Sequence, residues 1–420
     1  MRTVKETEAL AVLRELRRAG HAAYFVGGYV RDVLLSRPVK DIDIATAATP
    51  QEVLALFPRA IPTGLQHGTV TVVRNGHAFE VTTFRKESGY ESYRRPERVE
   101  FIDDLEEDLR RRDFTINAMA MDDEGGVIDP FGGRDDLEAG LLRAVGPAAE
   151  RFGEDALRML RCIRFAAEYG LRIEESTWQA LIACRPLMRH IAMERVRAEL
   201  ERIICGSDPY RGLSLFAESG LADHLKADIG GNARWDRAVR RQELAGIGRL
   251  GDCDVRWALL MVALDADAGE ASGLLKRLTC SGKLIREVVG VLRFHLDALR
   301  ADSADAWKIA VLRHGRAAAE KWLAMADVWP DEAEEAAAGA QRVRAMAERA
   351  RGWLRGMPAA SLGELPVRGQ EIAELGAAGA EIGAALEHLL FLVGLGKLPN
   401  DRRLLLEEAE RWLKERKADD

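Results

Sequence analysis

Residues 21–46, HAAYFVGGYVRDVLLSRPVKDIDIAT, hold the reading on which the fold turns. Residues 22–26 are a short apolar strand, Gly27-Gly28 interrupts it, and residues 29–36 start a helix. Asp41-Ile42-Asp43-Ile44 then reads as a second strand. Two carboxylates at i and i+2 of a strand share one face. Side by side they repel, so such a pair needs a cation. Hard oxygen ligands with open positions suit Mg²⁺ carried on substrate phosphates. Two such metals can activate an attacking hydroxyl and stabilise a leaving pyrophosphate. The glycine pair lets backbone N–H groups and a helix start approach a triphosphate, and Arg31, one turn in, is placed to clamp it. Asp41 and Asp43 are therefore the expected catalytic and metal-holding residues, with Gly28 and Arg31 on the nucleotide.

The surroundings extend the α/β pattern. Thr49-Pro50-Gln51-Glu52 predicts a helix start with Thr49 as cap and Glu52 closing a capping box. GTVTVVRNGHAFEVTTF, residues 68–84, is two alternating strands about Asn75-Gly76, a strong hairpin signal. From about residue 147 the apolar spacing becomes helical, as in EDALRMLRCIRFAAEYGL and MERVRAELERIICG, each ended by glycine. The expected architecture is an α/β head over 1–146, a helical neck over 147–205, a helical body over 206–310 and a helical tail over 311–420.

Composition narrows the class. The 420 residues carry a net charge of −7 and are 47% hydrophobic and 31% charged, a globular balance. No run reaches about 18 apolar residues, which excludes a helical membrane span, and the first 20 residues alternate charge with Leu and Ala and lack a signal-peptide core. The cysteines, at 162, 184, 205, 253 and 280, are odd in number and unpaired in spacing, so a reduced, cytoplasmic protein is expected. There are 50 arginines against 11 lysines, and no lysine between Lys86 and Lys226. Recognition of phosphate or base in that stretch falls to Arg, whose planar fork binds phosphate bidentately.

Several motifs fall in register: GGYVRD, DIDIAT, RRDFTINAMA from Arg111 to Ala120, DPFGG from Asp129 to Gly133, EDALRMLR from Glu154 to Arg161, and MERVRAE from Met193 to Glu199. Over roughly residues 20–200 their order and spacing resemble the class II tRNA nucleotidyltransferase and poly(A) polymerase family. More loosely, LPVRGQEIAELGAAGAEIGAALEHLL…GLGKLPN resembles the tail of Gram-positive-type CCA-adding enzymes. The resemblance implies a nucleotidyltransferase palm of the DNA polymerase β superfamily followed by an all-α neck, body and tail. It implies Mg²⁺ as cofactor, CTP and ATP as substrates and tRNA as partner, and it leaves a homodimer open. Asp41 and Asp43 would hold the metals, with Glu80 as candidate third carboxylate. Arg112 would contact nucleotide, while Asp113 and Asn117 read as structural, capping or tying the helix that follows.

By the same resemblance, Asp155 and Arg158 select the incoming base without a nucleic-acid template. Cytosine and adenine each show an amino donor beside a ring-nitrogen acceptor; uracil and guanine show the reverse. A carboxylate and a guanidinium match the first pattern, and each unpaired buried group in the second costs about 1–3 kcal/mol. On one continuous helix Asp155 and Arg158 are neighbours, whereas Arg164 lies half a turn from Asp155. Arg161 and Arg164 are therefore expected on the triphosphate or primer end. Arg195 reads as a brace for the neck helices. Residues 84–98, FRKESGYESYRRPER, read as a polar surface loop, and family enzymes that add the final A keep such a loop. The leading expectation is CCA addition. An A-adding enzyme, a poly(A) polymerase and a catalytically dead RNA-binding protein are the alternatives. The chain has no Lys/Arg-rich C-terminal run of the kind expected of a poly(A) polymerase, and no His-Asp dipeptide to mark an appended metal phosphohydrolase domain.

Overall fold

The computed structural model describes residues 3–91, 95–329 and 337–419. They form two compact units, residues 1–232 and 233–420.

In the first unit, helix α1 (Val4–Arg18) starts with a capping box between Thr3 and Glu6 and buries Ala9, Val12, Leu13 and Leu16. Strand β1 (Ala23–Val26), helix α2 (Gly28–Leu34), strand β2 (Asp43–Thr46) and helix α3 (Pro50–Leu56) follow. The α3 start is as the sequence predicts: Thr49 accepts from the Glu52 N–H, and the Glu52 carboxylate accepts from the Thr49 N–H at 2.7 Å. Strands β3 (Ala60–Gly64), β4 (Thr69–Arg74) and β5 (His77–Thr83) come next. Asn75 (φ 47°) and Gly76 (φ 80°) make the β4–β5 turn, both left-handed as such a tight turn demands.

Strands β6 (Arg85–Glu91) and β7 (Arg95–Phe101) pair antiparallel in a separate two-stranded sheet. The polar segment 84–98, read as a surface loop, is thus a hairpin; its residues 92–94 lie outside the described residues. Helix α4 (Leu105–Arg110), strands β8 (Ala120–Met121) and β9 (Val127–Ile128), and helix α5 (Gly133–Glu138) complete the head. The main sheet runs β3-β4-β5-β2-β1-β8-β9, with β2 and β5 parallel and the other pairs antiparallel. Its apolar face gathers Val26, Ala45, Phe84, Leu109, Ala118, Ala120 and Val145. Phe84 is wholly buried, so its truncation to Ala would cost about 3–5 kcal/mol. In DPFGG, Asp129 accepts from the Gly133 and Arg134 N–H groups, and a Cβ on Gly133 would stand 2.2 Å from the Thr115 carbonyl oxygen. That motif therefore locks the RRDFTINAMA turn in place by close backbone approach.

Past a short strand β10 (Leu141–Leu142), the chain becomes helical: α6 (Ala148–Glu154), α7 (Arg158–Tyr169), α8 (Glu175–Cys184), α9 (Met193–Ile204) and α10 (Pro209–Ser219). One strand persists, β11 (Arg172–Ile173), pairing parallel with β10. It departs from the all-helical expectation because a two-residue strand carries no periodicity to read. The expected helix through residues 154–169 is also broken. Asp155 has extended backbone (φ −139°, ψ 103°) between α6 and α7.

The second unit is helical throughout its described residues: α11 (Asn232–Val239), α12 (Gln242–Ala245), α13 (Cys253–Ala263), α14 (Ala268–Arg277), α15 (Gly282–Arg300), α16 (Ala304–His314), α17 (Arg316–Ala326), α18 (Ala337–Arg355), α19 (Gly369–Glu374), α20 (Ala380–Gly394) and α21 (Arg402–Asp419). Phe294, Trp307 and Trp322 are wholly buried and meet edge to face at its centre. Beside them, the Trp322 indole N–H donates to His295 Nδ1 at 2.9 Å. A second core of Ile372, Leu389, Val393, Leu405 and Ala409 joins α19, α20 and α21. No helix among the described residues is long and apolar enough to cross a membrane.

Candidate active site

A cleft of about 850 Å³ in the first unit is lined by residues from α2, the approach to β2, the RRDFTINAMA turn, α7 and α9. Ten cations line it against six carboxylates, so this acidic chain concentrates positive charge in one place. All nine residues predicted for catalysis or nucleotide binding (Gly28, Arg31, Asp41, Asp43, Arg112, Asp155, Arg158, Arg161 and Arg164) lie on its wall.

The carboxylate edge differs in one respect from the sequence reading. Strand β2 begins at Asp43, so Asp41 precedes it rather than sharing its face. The Asp41 side chain is 92% exposed, with the Lys5 ammonium 3.9 Å away. The β1–β2 ladder reaches only as far as Val26 opposite Asp43, which leaves Asp41 outside it. Asp43 is more enclosed and stands in register with Glu80 on parallel β5. Burial pushes its carboxyl up to about 6; Glu80 adds to the rise, Arg112 opposes it, Asp41 adds and Lys5 opposes. Such a shift marks negative charge that the protein leaves under-neutralised. Among the described residues no three ligating side chains are gathered closely enough to hold a metal unaided. The donors here are nevertheless carboxylate oxygens alone, with Asp43 short of positive charge, and that chemistry fits a hard divalent cation completed by substrate oxygens.

Gly27 (φ 67°) turns the chain between β1 and α2, and a Cβ there would meet Arg112 Nη1 at 2.9 Å. The glycine therefore leaves the gap that the Arg112 guanidinium fills. Arg31 is buried and held on three sides. It donates to Asp32 Oδ1 at 3.0 Å and Asn117 Oδ1 at 2.6 Å, and lies over the Tyr169 ring at 4.2 Å. Burial raises the Tyr169 hydroxyl to about 12, against the opposing Arg31 charge; it stays neutral and donates to Asp32 at 3.2 Å. Asn117 also donates to Asp113 Oδ1 at 3.1 Å, and Asp113 Oδ2 accepts from Arg161 Nε at 2.8 Å and Nη2 at 2.6 Å. Burial alone would raise the Asp113 carboxyl, but the Arg161 and Arg158 charges outweigh it and hold the group down at about 2. Asp113 and Asn117 thus tie Arg31 on α2 to Arg161 on α7, rather than only capping a local turn. Arg164 donates to Glu199 at 2.7 Å and Glu168 at 3.0 Å, and covers the Phe165 ring at 4.0 Å.

The base-selection pair is arranged otherwise than on one helix. Asp155 is the C-cap of α6 and leads into α7: its Oδ1 accepts from the Leu157 N–H at 3.1 Å, and its carbonyl from the Arg158 N–H at 2.9 Å. Its carboxylate takes a fork from Arg195 on α9, at 3.1 and 2.7 Å. Arg158 turns to other acceptors, the Arg111 carbonyl at 2.9 Å, the Arg151 carbonyl at 3.1 Å and Glu154 at 2.6 Å. Arg195 is thus both a brace and the partner of Asp155. Capacity remains on both groups. Three of about four acceptor positions on Asp155 are engaged, as are three of the five Arg158 N–H donors. Sequence reasoning passed over Asp108, Arg111 and Tyr169. Asp108 stands at i, i+3 and i, i+4 from Arg111 and Arg112, the spacing that could have drawn attention to it.

A palm-like mixed sheet with a carboxylate edge, joined to a helical arm that carries an arginine-rich cleft, defines a nucleotidyltransferase. Known proteins agree. Residues 23–143 match the poly A polymerase head domain, 170–229 the probable RNA and SrmB-binding site of polymerase A, and 250–409 the tRNA nucleotidyltransferase domain 2. The chain is 39% identical over 419 residues to the CCA-adding enzyme of Geobacillus stearothermophilus, spanning 97% of this chain and 96% of that one. It is 52% identical over 218 residues to that of Anoxybacillus flavithermus, 52% of this chain and 55% of the relative. The crystal structure of the Bacillus stearothermophilus CCA-adding enzyme in complex with CTP matches the whole of both chains with a TM-score of 0.80 at 34% identity. The Thermotoga maritima CCA-adding enzyme complexed with tRNA shares the fold, with a TM-score of 0.66 at 22% identity over 98% of this chain and 96% of that one. The chain belongs to the bacterial CCA-adding tRNA nucleotidyltransferases.

Proposed function

We infer that this chain adds CMP, CMP and AMP from CTP and ATP to the 3′-hydroxyl of tRNA, releasing pyrophosphate at each step, in the cytoplasm. The observation that carries the reading is the convergence, in one arginine-rich cleft, of the Asp41–Asp43 edge with Arg112, Asp155 and Arg158. Asp41 and Asp43, with Glu80 beside Asp43, would hold Mg²⁺. When bound it would lower the pKa of the attacking hydroxyl and offset charge on the leaving pyrophosphate. Gly28, Arg31, Arg112, Arg161 and Arg164 supply the positive, arginine-forked wall against which a triphosphate is oriented.

Base choice follows from the bonding capacity left on two groups. Asp155, held by Arg195, has one acceptor position for the amino group of cytosine or adenine. Arg158, held by three protein acceptors, has donors left for the adjacent ring nitrogen. Uracil or guanine would set a carbonyl against Asp155 and an N–H against Arg158. Each mismatch costs about 1–3 kcal/mol, roughly 5- to 150-fold in selection. The test uses purified protein, Mg²⁺ and tRNA transcripts ending at the discriminator base, at C and at CC. Ordered C, C, A addition that then stops supports the reading. Product only from the CC-ended transcript with ATP would make it an A-adding enzyme, and long A tracts a poly(A) polymerase.

A further inference from the structure

Behind the cleft, three arginines converge on one carboxylate. Asp108 on α4 has a side chain only 1% exposed. Its Oδ1 accepts from Arg111 Nε at 3.0 Å, Arg111 Nη2 at 2.8 Å and the Arg85 backbone N–H at 3.2 Å. Its Oδ2 accepts from Arg112 Nη2 at 3.4 Å. Glu87 takes up the remaining charge behind it, accepting from Arg85 at 2.8 Å and Arg111 at 3.3 Å. Arg112 has little else to fix it. Its other hydrogen bond is a long one, 3.5 Å to the Asn117 carbonyl, and its buried Nε has no partner. The neighbouring Arg111 charge repels it, and Asp108 and Asp43 offset that repulsion.

We propose that Asp108 is a positioning residue for nucleotide binding: it holds the Arg112 guanidinium in the gap over Gly27, facing the cleft, against repulsion from Arg111. The proposal rests on Arg112 being a nucleotide contact. A charge-assisted hydrogen bond of this kind, once broken, weakens the dependent contact by about tenfold. Asp108→Asn keeps the shape and removes the charge. In addition of one C to a transcript ending at the discriminator base, its KM for CTP is expected to rise about tenfold, with kcat changed less than about threefold. KM for ATP on a CC-ended transcript should rise in parallel, since the triphosphate that Arg112 would contact is common to both nucleotides.

The discriminating measurement is a double-mutant cycle with Arg112→Ala. If Asp108 acts through Arg112, Asp108→Asn adds nothing to the KM of the Arg112→Ala protein. An equal further rise in that background, or a fall in kcat with KM unchanged, overturns the proposal, because a purely structural carboxylate would behave so. An unchanged KM in Arg112→Ala alone would instead withdraw the nucleotide role of Arg112. Should Asp108→Asn not stay folded at the assay temperature, Glu87→Gln takes its place in the cycle. It frees Arg111 to compete for Asp108, and an unchanged KM for that variant likewise overturns the proposal.

Discussion

Arg195→Ala tests how the base-reading carboxylate is held. Arg195 grips Asp155 with two charge-assisted bonds, 3.1 and 2.7 Å, and the two side chains are 26% and 19% exposed. A fully buried pair of this kind would cost more; with water this near, the loss of orientation is about 1–2 kcal/mol. The released carboxylate can turn away from the amino group of the correct base. UTP never used that bond and loses little. The kcat/KM for CTP should therefore fall about 5- to 30-fold, and the CTP-to-UTP ratio should fall with it. Arg195→Lys, which cannot form the fork, should lie between the two. The assay is single-turnover incorporation of labelled CTP or UTP onto a transcript ending at the discriminator base, with tRNA affinity measured separately. If both nucleotides slow equally, so that the ratio is unchanged, Arg195 only supports the fold and the orientation argument fails.

Three further outcomes are expected. Asp41→Ala should abolish transfer while leaving tRNA affinity within about threefold, since the metal serves chemistry rather than docking; Glu80→Gln should slow transfer at least about tenfold if Glu80 completes the carboxylate edge, and a normal rate would remove it from the site. Gly27→Ala places a Cβ 2.9 Å from Arg112 Nη1 at φ 67°, so it should cost about 1–3 kcal/mol in thermal stability and also raise KM for CTP; a lowered Tm with KM unaltered would show that the gap is not needed for nucleotide. His295 is buried, and that burial lowers it from 6.5 to about 4. A depressed His favours the neutral fold, so its contribution is full above pH 6.5 and is lost as pH falls towards 4, about 3 kcal/mol in all. Thermal unfolding followed by tryptophan fluorescence should show this slope flattened in His295→Gln, and parallel slopes would contradict it.

Local chemistry carried much of this protein into view. The Thr49 capping box and the Asn75-Gly76 turn were legible because each is settled within four residues. The cleft residues were legible because their motifs keep order and spacing. The parallel pairing that sets Asp43 beside Glu80 was not, since β2 and β5 are joined through two other strands and a helix and no local signal sets their register. The break at Asp155 was hidden for a different reason. Glu154 to Arg161 contains only residues that helices accept, and the interruption comes from distant partners: Arg195 on Asp155, and the Arg111 carbonyl on Arg158. The hairpin of residues 85–101 looked like a loop because its strands are polar, and a small two-stranded sheet needs no alternating apolar face.

The composition of the cleft has a chemical consequence. Nine of its ten cations are arginine and one, Lys40, is lysine. Arginine keeps its proton far into the alkaline range, and acetyl transfer to side-chain amines does not touch it. Saturating lysine acetylation would discharge only one of the ten. The electrostatic capacity of the cleft is thus fixed at synthesis, and any control over it must come from what occupies it.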